Sequence, residues 1–449
     1  MDRYRFSVTG AGGSTEFEAL VASRDAVVGV MGLGYVGLPL AIQYAEAGFH
    51  VIGFDVAPER VASLRDGRSH VDDVSDAQLA AMVESGHFEA TGDPAELKRA
   101  DAVYLCVPTP FDVTKTPDLS FVRSAASTLG PLLTPGQLVI LQSTTYPGTT
   151  EEIVRPLLEA GSGMTAGEGF LLAYSPERVD PANTTWTLAN TPKIAGGVTP
   201  ASGEATRVLL EAMMSEDGFV TVVSSPAVAE MAKLAENTYR AVNIAYVNEL
   251  AMLAHEMRLD IWEVMEAAAT KPFGFQAFLP GIGPGGQCIP VNPYYISWKA
   301  REFDFHTSFI ELAGDINLRM ASYVMYRIHS FTTRLGITLS GAHVLCLGAA
   351  FKAGVSDVRN SRAVRVMELL RDAGAEVEFS DPLVASLELA GREQKAVALD
   401  PEALEAYDLV VVLVRNPAWP VEAVLAAGVP TFDAVNALGE PSGATHERL

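Results

Sequence analysis

Residues 26–56 read AVVGVMGLGYVGLPLAIQYAEAGFHVIGFDV, and this stretch decides the fold. A β-branched run leads into Gly32, Gly34 and Gly37 in G-x-G-x-x-G spacing, then a helical pattern, then a second strand ending at Asp55. The three glycines serve different ends, namely a tight turn, close approach of backbone to a pyrophosphate, and close packing of helix on strand. Asp55 lies 18 residues beyond Gly37, where a carboxylate accepts hydrogen bonds from both ribose hydroxyls of an adenosine. The glycine pattern alone is a weak signal, but with a strand before it, a helix after it and an acid at the next strand end it predicts NAD binding. An acid rather than a base at this position favours NAD over NADP. Tyr35 and Val36 inside the turn and Arg60 just beyond Asp55 join the cofactor candidates. Residues 26–42 carry no charge over 17 positions, near the lower limit for a membrane span. Four glycines and Pro39 divide them instead into strand, turn and helix start.

The rest of the composition leads to the expectation of a soluble, acidic, multidomain, intracellular protein. The 449 residues suggest about three domains, and 49% of them are hydrophobic, enough for several cores. Lys plus Arg is 32 against 55 Asp plus Glu, a net charge of −23. So acidic a chain lacks the basic stripes that a duplex-binding protein needs. Cys106 and Cys346 sit in apolar strand-like runs, where cysteine acts as a small hydrophobe. Neither the three cysteines nor the eight scattered histidines have disulfide or metal-ligand spacing, so no metal is expected. Residues 1–24 read as an N-terminal extension with no motif and no apolar leader, and a cytoplasmic location is expected.

Strand–helix alternation continues through 102–107, 137–142 and 170–174. The strands end in Val107-Pro108-Thr109, Ser143-Thr144 and Ser175-Pro176-Glu177-Arg178. Carboxyl ends of parallel strands are where open α/β sheets bind ligands, so these residues are candidates, although Thr144 taken alone reads as a helix cap. From 226 to about 258 runs one unbroken helical pattern, on the order of 45–50 Å long. Lys233 and Asn237 share a face of it; taken alone, the pair is a solvated polar stripe. Near residue 341 a second unit repeats the first: strand, glycine turn, helix, and a strand ending at Asp381, with Lys352 after its first strand. The expected fold is α/β, with two Rossmann-like doubly wound domains joined by a long central helix in an α-helical linking domain. The expected segments are 1–24 (extension), 25–223 (NAD-binding), 224–330 (central, helical, with a cysteine loop) and 331–449 (Rossmann-like, suited to a nucleotide diphosphate other than NAD).

Residues 271–299 read KPFGFQAFLPGIGPGGQCIPVNPYYISWK. The glycines at 281, 283, 285 and 286 let the backbone turn sharply and approach a ligand. Cys288 follows at once. A thiol in such a loop is a nucleophile when a neighbouring cation or helix N-terminus lowers its pKa. An isolated cysteine more often only packs, but NAD together with a nucleophilic cysteine is the chemistry of aldehyde oxidation through a thioester.

The chain resembles the UDP-glucose/GDP-mannose dehydrogenase family across about 26–440. The resemblance is carried by VGVMGLGYVGLPLA, the Ser143-Thr144 turn, YSPERVDPAN, AKLAEN, ATKPFGF, GPGGQCIPVNPYY and GAAFK, in the family's order. It looks most like the bacterial branch of UDP-N-acetyl-D-glucosamine 6-dehydrogenases. The resemblance implies two successive hydride transfers from C6 of the sugar to NAD, with Cys288 as the nucleophile. It implies Lys233 and Asn237 at the oxyanion, Glu177 and Thr144 positioning substrate and water, and Lys352 reaching the substrate. It also makes 331–449 the UDP-sugar-binding domain, places Arg178, Phe278, Gly281 and Gly285 in the substrate site, and implies a homodimer joined through the central helix.

Two departures bear on chemistry. Where the family has an aspartate after the cysteine, this chain has Asn292, which can hold a water but cannot take a proton. Where the family's FDxRN has arginine, this chain has Val435. Gln287 is a third departure, at a tolerant position. Three readings remain open: a four-electron 6-dehydrogenase acting on UDP-N-acetylglucosamine or UDP-glucose; a relative that stops at an aldehyde or keto sugar, or epimerises by transient oxidation; and a non-catalytic sensor of NAD or a nucleotide sugar.

Overall fold

The computed structural model describes residues 12–112, 115–180, 182–441 and 443–449. The chain divides into two compact units, Met1–Glu236 with Trp298–Phe303, and Asn237–Ser297 with Asp304–Leu449. The first runs α1 (Gly12–Ser23), β1 (Val27–Met31), α2 (Gly37–Glu46), β2 (His50–Phe54), α3 (Pro58–Arg65), α4 (Asp76–Glu84), β3 (Phe88–Thr91), β4 (Ala102–Leu105), α5 (Ser120–Leu129), β5 (Leu138–Leu141), α6 (Arg155–Ser162), β6 (Leu171–Tyr174), β7 (Lys193–Gly197), α7 (Pro200–Glu211), β8 (Val220–Val223) and the start of α8 (Pro226–Met257). Its eight strands lie in the order β3-β2-β1-β4-β5-β6-β7-β8. Every pairing is parallel except β6 with β7. The order reverses between β1 and β4, which makes that edge the ligand crevice of a doubly wound sheet. Strands AVYL and LVIL (β4 and β5) are buried at every residue, as helices on both faces of a parallel sheet require.

The second unit continues α8 and adds α9 (Ile261–Ala269), most of α10 (Asn292–Ala300), α11 (Ser308–Arg334), β9 (His343–Leu347), α12 (Arg362–Asp372), β10 (Glu376–Ser380), a hairpin of β11 (Ser386–Leu389) and β12 (Arg392–Lys395), β13 (Leu409–Val412), α13 (Val421–Ala426), β14 (Thr431–Asp433) and β15 (His446–Arg448). Its main sheet, β10-β9-β13-β14-β15, is parallel throughout. The repeat legible in sequence is physical. Gly32 (φ +98°) and Gly348 (φ +97°) make the same turn after the first strand of each unit. In each case an acid at the end of the second strand clamps that turn: Asp55 accepts from Leu33 N at 2.9 Å, and Asp381 accepts from Ala349 N at 2.8 Å and Ala350 N at 3.2 Å.

One feature goes beyond the sequence reading. Residues 12–23, inside the motif-free extension, form α1, whose Phe17 and Val21 enter the first unit's core. The helix α8 is unbroken for 32 residues, as its sequence pattern predicts, and its residues fall in both units. Among the described residues no helix is long and apolar enough to cross a membrane.

Candidate active site

The three glycines of the turn differ in what surrounds them, as their spacing predicts. A Cβ on Gly32 would lie 2.5 Å from the Cys106 carbonyl oxygen, and one on Gly37 would overlap the Gly32 oxygen outright. Gly32 therefore shapes the turn, and Gly37 lets α2 start against it. A Cβ on Gly34 would meet nothing within 4 Å, so the surface over the turn is open where a pyrophosphate would approach α2's N-terminus. Tyr35 and Val36 are exposed beside it. Asp55, 4% exposed, accepts from Leu33 N, Ala57 N (3.0 Å) and Arg60 Nη1 (2.9 Å). Burial pushes its carboxyl up, but those two N–H groups and the Arg60 guanidinium outweigh it and hold the acid below its ordinary value. Arg60 thus neutralises Asp55. The donor set fits a dinucleotide: open backbone at Gly34, a helix N-terminus and a fixed carboxylate at a strand end.

The ends of β4 and β5 are locked together. The Ser143 hydroxyl accepts from Val107 N (2.9 Å) and lies 2.7 Å from the Val107 carbonyl, to which it donates. Ser143 therefore fixes the Val107-Pro108-Thr109 segment as well as facing the crevice. Thr144, next in the chain, is half-buried.

Glu177 stands at the end of β6, its side chain 13% exposed. Its Oε1 accepts from Arg178 N (2.6 Å) and Val179 N (2.9 Å), and its Oε2 from Gln142 Nε2 (3.0 Å) and Lys193 Nζ (3.4 Å). Burial would raise its pKa, but Lys193, the two backbone N–H groups and Lys233 outweigh it and keep it below the ordinary value. With both oxygens engaged, Glu177 is a fixed anion, better suited to positioning than to proton shuttling. Lys193, itself 2% exposed, and Gln142 are not legible as site residues in the sequence. They are apolar-run neighbours there, and their partner comes from another strand. Arg178 is engaged too: it forms a bidentate pair with Glu236 on α8 (2.6 and 3.2 Å) and donates to the Pro192 carbonyl at 2.7 Å.

On α8, Lys233 and Asn237 are both buried, at 7% and 6% exposure, so the stripe is not solvated. Asn237 Nδ2 donates to Asn292 Oδ1 in a short contact, and Asn292 is itself 3% exposed at the start of α10. A carboxylate at 292 would receive the same bond. The amide keeps the acceptor and loses the charge.

Cys288 is exposed, whereas Cys106 and Cys346 are buried. Its carbonyl accepts from Val291 N (3.2 Å) and Asn292 N (2.9 Å), which starts α10 directly behind it. The loop's glycines answer mainly to the protein. A Cβ on Gly283 would sit 2.5 Å from the Asn317 oxygen, and one on Gly285 would sit 2.8 Å from Phe351 Cβ and 2.9 Å from the Asn360 oxygen. Gly281 N donates to Asn248 Oδ1 at 3.0 Å, and a Cβ there would have Val435 Cγ1 as its nearest neighbour at 3.6 Å. The loop therefore lies on the carboxyl edge of the second unit's sheet, in the same region as Phe351-Lys352 and Val435. Phe278 packs edge-on to Tyr239, centroids 5.9 Å apart. The guanidinium missing at 435 has neighbours: Arg415 Nη2 donates to the Asn436 carbonyl at 2.6 Å and Arg448 Nη1 to Asn436 Oδ1 at 3.0 Å. Among the described residues no cluster of His, Cys, Asp and Glu is arranged to hold a metal.

A doubly wound sheet with this glycine turn and acid-ended second strand defines a dinucleotide-binding protein, and comparison with known proteins makes it an oxidoreductase. Three parts of the UDP-glucose/GDP-mannose dehydrogenase family match in order: the NAD binding domain at 26–214, the central domain at 227–319 and the UDP binding domain at 345–439. The chain belongs to this family, and NAD is its cofactor. A UDP-N-acetyl-D-glucosamine 6-dehydrogenase of Pseudomonas aeruginosa is 36% identical over 393 residues, 88% of this chain and 91% of the relative. A UDP-N-acetyl-D-mannosamine dehydrogenase of Pyrococcus horikoshii is 36% identical over 358 residues, covering 80% and 84%. The solved structure of a UDP-D-ManNAc dehydrogenase from Pyrococcus horikoshii superposes with a TM-score of 0.85 at 31% identity, covering 94% of this chain and 98% of that one.

Proposed function

We propose that the chain is a nucleotide-sugar 6-dehydrogenase that oxidises C6 of a UDP-hexose to the uronic acid, with UDP-N-acetylglucosamine the first choice and UDP-glucose the second. The observation that carries this reading is the complete set Thr144, Glu177, Lys233, Asn237 and Cys288 on the matched framework, with Lys233 and Asn237 buried on a helix otherwise read as a surface stripe. The relatives named for UDP-N-acetyl-D-glucosamine and UDP-N-acetyl-D-mannosamine support a UDP-N-acetylhexosamine ahead of UDP-glucose.

NAD bound at the Gly32–Gly37 turn would supply the hydride acceptor, two molecules in succession and one for each oxidation. In the first, C6–OH loses a proton and a hydride to become an aldehyde. The Cys288 thiolate then adds to the aldehyde carbon, and the resulting alkoxide is stabilised by Lys233 and the Asn237 amide. Loss of the second hydride leaves a thioester on Cys288. Water held near Glu177 and Thr144 attacks it, releasing the carboxylate and restoring the thiol. Lys352, after the first strand of the UDP-binding unit, holds the substrate's phosphates, and Gly281, Gly285, Phe278 and Arg178 shape its surroundings. The pattern on α8 supports a homodimer: Val228, Met231, Tyr239, Tyr246, Leu253 and Met257 are apolar, exposed and on one face.

A second reading rests on Asn292 and Val435. With no carboxylate at 292 and no guanidinium at 435, the enzyme stops at the aldehyde or keto stage, or epimerises by transient oxidation. Turnover on a panel of UDP-N-acetylglucosamine, UDP-glucose and GDP-mannose separates the readings. The first predicts the highest kcat/KM with UDP-N-acetylglucosamine and an acidic product. Tight binding of the panel without turnover would make the chain a sensor instead.

A further inference from the structure

Glu230 is a buried carboxyl that the mechanism does not use, and it has no exposed surface. It lies early in α8, on the turn after the helix start and three residues before Lys233, and so on the same side of the helix. Its Oε2 accepts from Gly148 N at 2.6 Å, and its Oε1 accepts from Thr150 N at 2.9 Å and from the Thr150 hydroxyl at 2.7 Å. Gly148 and Thr150 end the segment that leaves β5 through Ser143 and Thr144 and enters the helical stretch at Thr150. One carboxylate therefore satisfies two orphan N–H groups at that helix start, where negative charge is favoured. The same contact ties the Thr144 turn to the helix that carries Lys233. Gln142, on the other side of the turn, is already tied to Glu177, so the turn is held from both flanks.

We propose that Glu230 is a positioning residue: it holds the Thr144 turn and the Lys233 face of α8 in register, and so sets the rate of the oxidation steps without touching substrate. The proposal rests on the reading that Lys233 acts in catalysis. A displacement of about 1 Å in such a framework is enough to cost on the order of 100-fold in rate.

Burial drives the Glu230 carboxyl up, against the pull of the Thr150 and Gly148 donors, to about 7. The titratable groups facing it are Glu151 at the helix start and Tyr174 on β6; Lys233 and Glu236 follow it on its own helix. All three donors are best met by the ionised form, so kcat rises with pH through this region.

The test is steady-state kinetics with UDP-N-acetylglucosamine and NAD on Glu230→Gln, Glu230→Ala, Thr150→Val and Lys233→Met, each checked for its melting temperature. Glu230→Gln keeps the acceptor for Thr150 but presents an NH2 to the Gly148 N–H. It should lower kcat about tenfold, leave KM for the sugar nucleotide within about twofold, and flatten the limb near pH 7. Glu230→Ala should lose more than the Gln variant, and Thr150→Val, missing one donor, about threefold. If Lys233→Met is inactive while the Glu230 variants, folded, keep wild-type kcat and its pH limb, the proposal is overturned. If Lys233→Met is itself fully active, the catalytic reading fails instead.

Discussion

At the scale of single residues, the glycine turn separates folding from binding. Gly37→Ala places a Cβ against backbone that cannot yield and should lower stability by at least about 2 kcal/mol. Gly34→Ala meets open space; its melting temperature should match wild type, while its affinity for NADH, read by fluorescence titration, falls at least about tenfold. Equal NADH affinity in a folded Gly34→Ala would deny the turn its proposed ligand. Glu177 and Glu230 set opposite dependences on pH. Glu177 has a lowered pKa, so its contribution is present above the ordinary value of 4.5 and disappears as pH falls through its folded value. Glu230 has a raised pKa, so its contribution is full below 4.5 and is lost as pH rises through about 7. Glu230→Gln should therefore remove the decline in melting temperature between those values. Lys193→Met leaves Glu177 without its nearest cation. It should cost about 3–5 kcal/mol and move the acid unfolding midpoint upward, as followed by tryptophan fluorescence.

The same residues show what sequence can carry. Gly32, Gly34, Gly37 and Asp55 are legible because a local turn, a helix start and the next strand fix their roles within a few dozen residues. Lys193 and Glu230 are not. Each gains its meaning from a partner on another element, Glu177 for one and Gly148 with Thr150 for the other, and a lone Lys in a strand or Glu in a helix has no local mark. Ser143 and Arg60 read as cofactor residues in the sequence, yet in the structure they first hold protein: Ser143 the Val107 segment, Arg60 the Asp55 carboxylate.

At the scale of elements, α8 is legible as one long helix because nothing in 226–258 breaks its period. Its polar pair is harder to place. Lys233 and Asn237 look like a surface stripe in sequence and are buried in the fold, since the surrounding Ala, Met and Leu positions do not say which face meets solvent. The exposed face runs through Val228, Tyr239, Tyr246, Leu253 and Met257. Leu253→Asp puts a charge on that face and should weaken the proposed homodimer by about 100-fold or more, seen by sedimentation as a shift to monomer. An unchanged oligomer would exclude this face as the interface. The helix α1 is hidden in the sequence for a simpler reason: Phe17 and Val21 are its buried anchors, too few to stand out as a period.

At the scale of the whole molecule, the chain is two parallel-sheet units that repeat one device, a glycine turn clamped by the acid of the next strand. One unit carries the NAD fingerprint and the other the match to the UDP binding domain. The departures at Asn292 and Val435 lie within this framework and leave its folding logic intact. Asn292 still accepts from Asn237, and Val435 packs where Gly281 passes. The question they raise is chemical, and it is whether the second oxidation occurs. NADH formed per UDP-N-acetylglucosamine consumed, with the mass of the product recorded, answers it. The account predicts two NADH per sugar and a product heavier by one oxygen and lighter by two hydrogens. One NADH with an aldehyde or keto product, or an isomer with none, would contradict it.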